Sequence, residues 1–233
     1  MMIDPTHDST ADHPYRTGHV PPPFDPESAR VPYDGQTRMR LTISSGLAHA
    51  RIVTDPAARD LVAIESGGGP QPRIRLAAGE IALTWRVAFA DWLRSVFTGG
   101  LGDLAIVLHP AVEWTVAVRG GLSHLECDLS AGAIARIDIT GGCGDVRFDL
   151  PLPTAIVPIR ISGGASRVGL RRPAEAGVVV GVSGGISKLR LDDQGFDAIG
   201  GAVRLDTGNV VRGTPHYELS IGGGASELAI ECR

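Results

Sequence analysis

Apolar and polar residues alternate in short runs from Met39 to the end of the chain, and the runs recur. TVAVRGG, IDITGG, PIRISGG and GVSGG place glycine pairs at Gly120-Gly121, Gly141-Gly142, Gly163-Gly164 and Gly184-Gly185, at intervals of 21, 22 and 21 residues. SSG at Ser44 and ESG at Glu65 put Gly46 and Gly67 a further 21 apart. A last pair, Gly222-Gly223, follows 38 residues after Gly184, nearly two periods, with Gly200-Gly201 between. Period-2 alternation predicts strands with one buried face, and a fixed period of this length signals stacked repeats.

The apolar positions repeat with the glycines. Before them, Leu41, Val62, Val116, Ile137, Ile159, Val180 and Leu219 occupy equivalent places, followed two residues on by Ile43, Ile64, Val118, Ile139, Ile161, Val182 and Ile221. After them come Leu104, Leu125, Val146, Val168, Leu189 and Leu228, with i+2 partners Ile106, Cys127, Phe148, Leu170, Leu191 and Ile230. Stacked repeats would align these as ladders about 4.8 Å apart. Each repeat holds two strands of roughly five residues and two turns. The glycine pairs are read as structural corners, supplying positive φ or close backbone approach.

Two all-β architectures satisfy the pattern. In a β-solenoid each pair turns a corner and the ladders run parallel. In a stack of antiparallel hairpins each pair is a two-residue turn, with Val180 facing Leu189 and Val178 facing Leu191. The near-constant period favours the solenoid.

The alternation breaks twice. Between Ile81 and Gly100, the residues Trp85, Phe89, Trp92, Leu93, Val96 and Phe97 fall on one face of a helix, predicting a short amphipathic insertion near 85–98. Such a helix can cap an open solenoid end, dock a protein partner or lie in a membrane interface; its balanced charge argues against the last. The second break is Asp192 to His216. Residues 1–38, rich in Pro, Asp, His and Thr, read as a disordered or loosely docked arm before a single β-domain at 39–233.

Composition narrows the function. Net charge is −4, with 43% hydrophobic and 5% aromatic residues and 31 glycines, and that charge gives no electrostatic footprint for nucleic acid or acidic membrane. No basic and apolar leader opens the chain, and no apolar run approaches the roughly 18 residues of a membrane span, so a soluble, cytoplasmic protein is expected. Cys127, Cys143 and Cys232 form no C-x-x-C pair, and Cys127 alternates with leucines as a buried apolar residue would. His7, His13 and His19 imply no rigid metal site, and His49, His109, His124 and His216 have no ligand-like spacing. G-x-S-x-G, H-E-x-x-H and Walker A motifs do not occur, and GGLGDLA does not open a helix in a βαβ unit. Asp128, Asp138, Asp145 and Asp149 point outward on strands as solvated charges. No catalytic residue, cofactor or metal is expected.

VPIRISGGASRVGLRRP, VVVGVSGGISKLRLD and YELSIGGGASELAIE resemble the C-terminal domains of the cell-wall-active antibiotic response proteins. They also resemble the related putative-adhesin and toast-rack β-helical domains of bacteria. The resemblance covers roughly residues 100 to 232. It implies a right-handed, single-stranded β-helix-like fold without catalytic residues, in a class whose members include partners of envelope-stress sensors. The expectation is a non-enzymatic scaffold that binds a protein partner or its own copies. The alternatives are a carbohydrate-binding or carbohydrate-cleaving solenoid and a peripheral membrane component docked through Trp85 to Phe97.

Overall fold

The computed structural model describes residues 29–44, 47–67, 73–84 and 103–233, with residues 47 and 48 as backbone only. Among them the chain is all β, arranged in two mixed sheets, neither of which closes into a barrel. Seven strand pairs recur, each with its first strand in sheet B and its second in sheet A. They are β2 (Arg38–Ser44) with β3 (Leu47–Thr54), β6 (Glu80–Thr84) with β7 (Asp103–Leu108), and β8 (Glu113–Arg119) with β9 (Leu122–Asp128). Then come β10 (Ala133–Thr140) with β11 (Cys143–Asp149), β12 (Ile156–Ile161) with β13 (Ala165–Arg172), and β14 (Gly177–Val182) with β15 (Ile186–Leu191). The last is β18 (His216–Ile221) with β19 (Ala225–Cys232).

Within each sheet these strands run parallel, and like residues meet like. Leu41, Val116, Ile137, Ile159, Leu219 and Val180 form one continuous ladder in sheet B. In sheet A, Ile52, Cys127, Phe148, Leu170, Ile230 and Leu191 form another. These side chains point between the sheets and are almost wholly buried. Each Leu, Ile or Val taken from water contributes ~1.5–3 kcal/mol, so the ladders are the main source of cohesion. Burial also pushes the Cys127 thiol far above its usual range, as expected of an inert core residue. Two larger side chains fill the space: Trp114 donates its indole N–H to the His109 carbonyl at 3.0 Å, and Tyr217 donates its hydroxyl to the Pro151 carbonyl at 2.6 Å.

Strands flanking a glycine pair lie in different sheets, so the hairpin alternative is not made. Val180 of β14 pairs with Leu219 and Leu205, and Leu189 of β15 with Leu228 and Phe196. The corner backbones continue the ladders instead. Leu122 N–H donates to Gly142 O, Cys143 to Gly164 O, Ala165 to Gly224 O and Ala225 to Gly185 O, at 3.0–3.1 Å. Peptide groups at the turns are thereby satisfied, as buried backbone requires.

Sequence order and stacking order differ at both ends. The β2–β3 pair lies between β6–β7 and β8–β9, and the β18–β19 pair lies between β12–β13 and β14–β15. Antiparallel strands close the outside: β4 (Asp60–Gly67) on β7, β1 (Ala29–Pro32) on β4, and β5 (Arg73–Ala77) on β6. At the far end β16 (Gln194–Phe196) pairs with β15 and β17 (Val203–Asp206) with β14.

This corrects several expectations. Val62 and Ile64 are not equivalents of Leu41 and Ile43, despite their 21-residue spacing; they run antiparallel in sheet A opposite Leu108 and Ile106. The true neighbours of Leu41 and Ile43 are Ile81 and Leu83, within what the sequence marked as a break. The second break holds β16 and β17. Residues 29–32 of the expected arm form an edge strand, while residues 1–28 lie outside the described residues. No helix occurs among the described residues, and the segment near 85–98 lies outside them.

Candidate interaction face on sheet A

Alternation turns every second residue of sheet A outward, and the parallel register places these residues in rows across the strands. One row reads Asp103, His49, His124, Asp145, Arg167, Glu227 and Lys188. A neighbouring row carries Arg51, Glu126 and Arg147, and the next Asp128, Asp149, Arg171 and Glu231. The sheet that holds the core thus displays a charged grid on its other side.

Asp145 is the node of this grid. Its side chain is only 12% exposed, and its Oδ2 accepts from Arg167 Nη2 at 3.3 Å and Arg147 Nη2 at 3.4 Å. The imidazole of His124 stands 3.6 Å away through Nδ1 and contacts Glu126 through Nε2 at 3.2 Å. The His49 ring lies 5.5 Å from that of His124. Toward the far end, Lys188 reaches Glu227 at 3.8 Å and Arg190 reaches Glu231 at 3.5 Å. Pairs this exposed contribute ~0.2–1 kcal/mol each, so they can be exchanged for a partner's charges at little loss. Asp149 differs: partial burial, with Asp128 and Glu126 nearby, holds its carboxyl above the usual range despite Arg171 at 3.5 Å. Beside the Asp145 row runs a shallow groove of about 460 Å³, lined by Ser123, Asp145, Ser166, Arg167, Lys188 and Glu227.

The outward carboxylates Asp128, Asp145 and Asp149 share this face, whereas Asp138 lies on sheet B against Arg136. The rows themselves escape sequence reading, because their members come from separate repeats and gain meaning only once the register is known. Gly120-Gly121, Gly141-Gly142, Gly163-Gly164, Gly184-Gly185 and Gly222-Gly223 all sit where the chain passes from sheet B to sheet A. At Gly141, φ is +122° and a Cβ would meet the Gly120 carbonyl oxygen at 2.6 Å. That corner is closed to any other residue. Trp85, Phe89, Trp92, Leu93, Val96 and Phe97 lie outside the described residues, as do His7, His13 and His19. Among the described residues no group of three His, Cys, Asp or Glu side chains could hold a metal ion. No described helix is long and apolar enough to cross a membrane.

No family model matches the chain, and no curated protein matches it. Among solved structures, the chain is similar to one described as a "putative cell adhesion protein" from Clostridium sporogenes. The TM-score is 0.61 at 16% identity, covering 89% of this chain and 98% of the other. That likeness is one of fold, and an all-β architecture is what the two share.

Proposed function

We propose that the chain is a non-enzymatic interaction scaffold, a β-solenoid that binds a protein partner through the outer face of sheet A. The observation that carries this reading is the grid centred on Asp145. A stiff, in-register sheet fixes charged groups of both signs at regular spacing, which suits electrostatic matching to another protein surface. The edge strands β1, β5, β16 and β17 are three to five residues long and antiparallel to their neighbours. Short edges of this kind discourage end-to-end growth, so recognition is assigned to the faces. The name of the structural neighbour supports interaction in general. The bacterial envelope-stress response is the setting we propose, on the sequence resemblance alone, and the cytoplasm is the proposed compartment.

A photo-crosslinking residue at Arg167, expressed in the full chain in cells, tests the reading. A discrete protein adduct from Arg167, absent when the same group replaces Ser220 on sheet B, is expected. Equal labelling from both positions, or none from Arg167, would overturn it.

A further inference from the structure

The outer face of sheet B carries a different kind of surface at the end formed by β5, β6, β2 and β8. One row reads Arg73, Thr84, Ser44, Arg119 and Thr140. The row beside it reads Arg75, Ala82, Thr42 and Ala117, and the next contains Glu80, Arg40 and Thr115. Arg40, Arg73, Arg75 and Arg119 are exposed, and none has an ion-pair partner among the described residues. The nearby carboxylates are engaged: Glu113 with Arg38 at 2.6 Å, and Glu80 accepting from the Thr42 hydroxyl at 2.6 Å. Arg73, Arg75 and Arg119 thus have no facing acid among the described residues, while Arg40 stands opposite Glu80, on a protein whose net charge is −4.

Arg73, Arg75 and Arg119 repel one another on this face and give the fold nothing in return, so the patch is best explained by an anionic ligand. Its spacing and chemistry define that ligand. Adjacent strands are about 4.8 Å apart, so Arg73 and Arg119, three strands apart, stand about 14 Å from each other. Between them lie the hydroxyls of Thr84 and Ser44, with Thr140 beyond. Ala82, Thr42 and Ala117 keep the adjoining row low, leaving a strip between taller arginines. A polymer with acidic groups at intervals and hydroxyls in between fits this order, because the Ser44 and Thr84 hydroxyls can both donate to and accept from the sugar hydroxyls, whereas a phosphate chain offers them acceptors alone. The described residues of the strip include no aromatic ring on which a nucleobase could stack, as single-stranded nucleic acid binders use. The geometry points to an acidic polysaccharide, sulfated or uronate-bearing, lying across β5, β6, β2 and β8 with Arg73 and Arg119 gripping successive acid groups and Arg75 and Arg40 flanking them. Guanidinium groups suit the task, since their planar fork binds carboxylate or sulfate oxygens two at a time. The site is on the opposite sheet from Asp145 and does not depend on the protein-binding reading.

Isothermal titration of the full chain with heparin oligosaccharides tests it, with inorganic polyphosphate and single-stranded DNA as comparison ligands. Heparin should bind, more weakly as salt rises, and Arg73→Ser with Arg119→Ser should lower its affinity about tenfold or more. Arg147→Ser with Arg167→Ser on sheet A should leave it unchanged. Ser44→Ala with Thr84→Val should weaken heparin binding by a larger factor than any binding of polyphosphate. If the first double variant unfolds, as judged by its melting temperature, Arg40→Gln with Arg75→Gln replaces it and should show a loss of the same sign. No heparin binding at low salt, equal loss from the sheet A variant, or polyphosphate or DNA bound as tightly as heparin would overturn the proposal.

Discussion

Ile159 takes Leu219 as its register partner, and Val180, one repeat further along the chain, is held off on the far side of Leu219. The last strand pair is therefore packed on both sides. Leu219→Ala opens a cavity against two neighbouring strands at once and should cost ~2–5 kcal/mol in denaturant unfolding. Leu205→Ala on edge strand β17, only partly buried, should cost clearly less. The order can also be read directly. Pyrene groups on cysteines placed at Arg160 and Ser220, adjacent on the outer face, should give strong excimer fluorescence, and groups at Arg160 and Gly181 a weaker signal.

Gly141 is the strictest corner. A left-handed φ disfavours any side chain by ~1–3 kcal/mol, and the Gly120 carbonyl adds a clash. Gly141→Ala should lower the melting temperature well beyond Gly79→Ala, where φ is +76° but the space beyond is open.

Arg172 is 1% exposed and donates to Asp192 at 2.6 Å, joining β13 to the end of β15. Its Nη1 also reaches Cys232 of β19 at 3.3 Å. Asp192→Ala strands a buried guanidinium and should cost ~3–5 kcal/mol; adding Arg172→Met should recover much of that loss. Chemical denaturation of Asp192→Ala, Arg172→Met and the double variant, read as a double-mutant cycle, measures the coupling.

Asp149 gives a pH signature. Its raised carboxyl pKa means that the folded protein holds its proton more tightly than the unfolded chain does. The stabilising contribution is complete below the ordinary carboxylate range and is lost as pH rises through the folded-state value. Asp149→Asn should thus be more stable than the parent at neutral pH, with the gap closing in acid. Melting curves from pH 3 to pH 8 check this; a gap that widens in acid would contradict it.

The alternating runs made the strands legible from Val116 to Leu191, because period 2 is a direct consequence of one buried face. Their ladders could be written down from spacing alone. Spacing has no sense of direction, however. LVAIES alternates equally well forward or backward, so spacing alone aligns Val62 and Ile64 with Leu41 and Ile43 although their strand runs antiparallel on β7. Neither does it fix neighbours: Leu, Val and Ile at equivalent positions are interchangeable in packing, which hides the insertion of Leu219 between Ile159 and Val180. No intact glycine pair precedes Ala50 and Ile52 of β3, so the repeat pattern does not mark them. Both charged faces depend on the register, so neither the Asp145 grid nor the Arg73–Arg119 strip could be seen in the linear chain.

The placement of the first and last strand pairs one position in from each end has a mechanical consequence. In a stack wound in simple chain order, tension on a terminus peels away the outermost layer, one ladder at a time. Here a pull on the segment after Cys232 acts on a layer clamped between β12–β13 and β14–β15, whereas a pull ahead of Ala29 meets the edge strand β1 first and reaches the clamped β2–β3 layer only after β1 has left β4. Extraction must shear two ladders on each sheet together. The layer that ends at Cys232 can therefore bear tension without being unwound from that side.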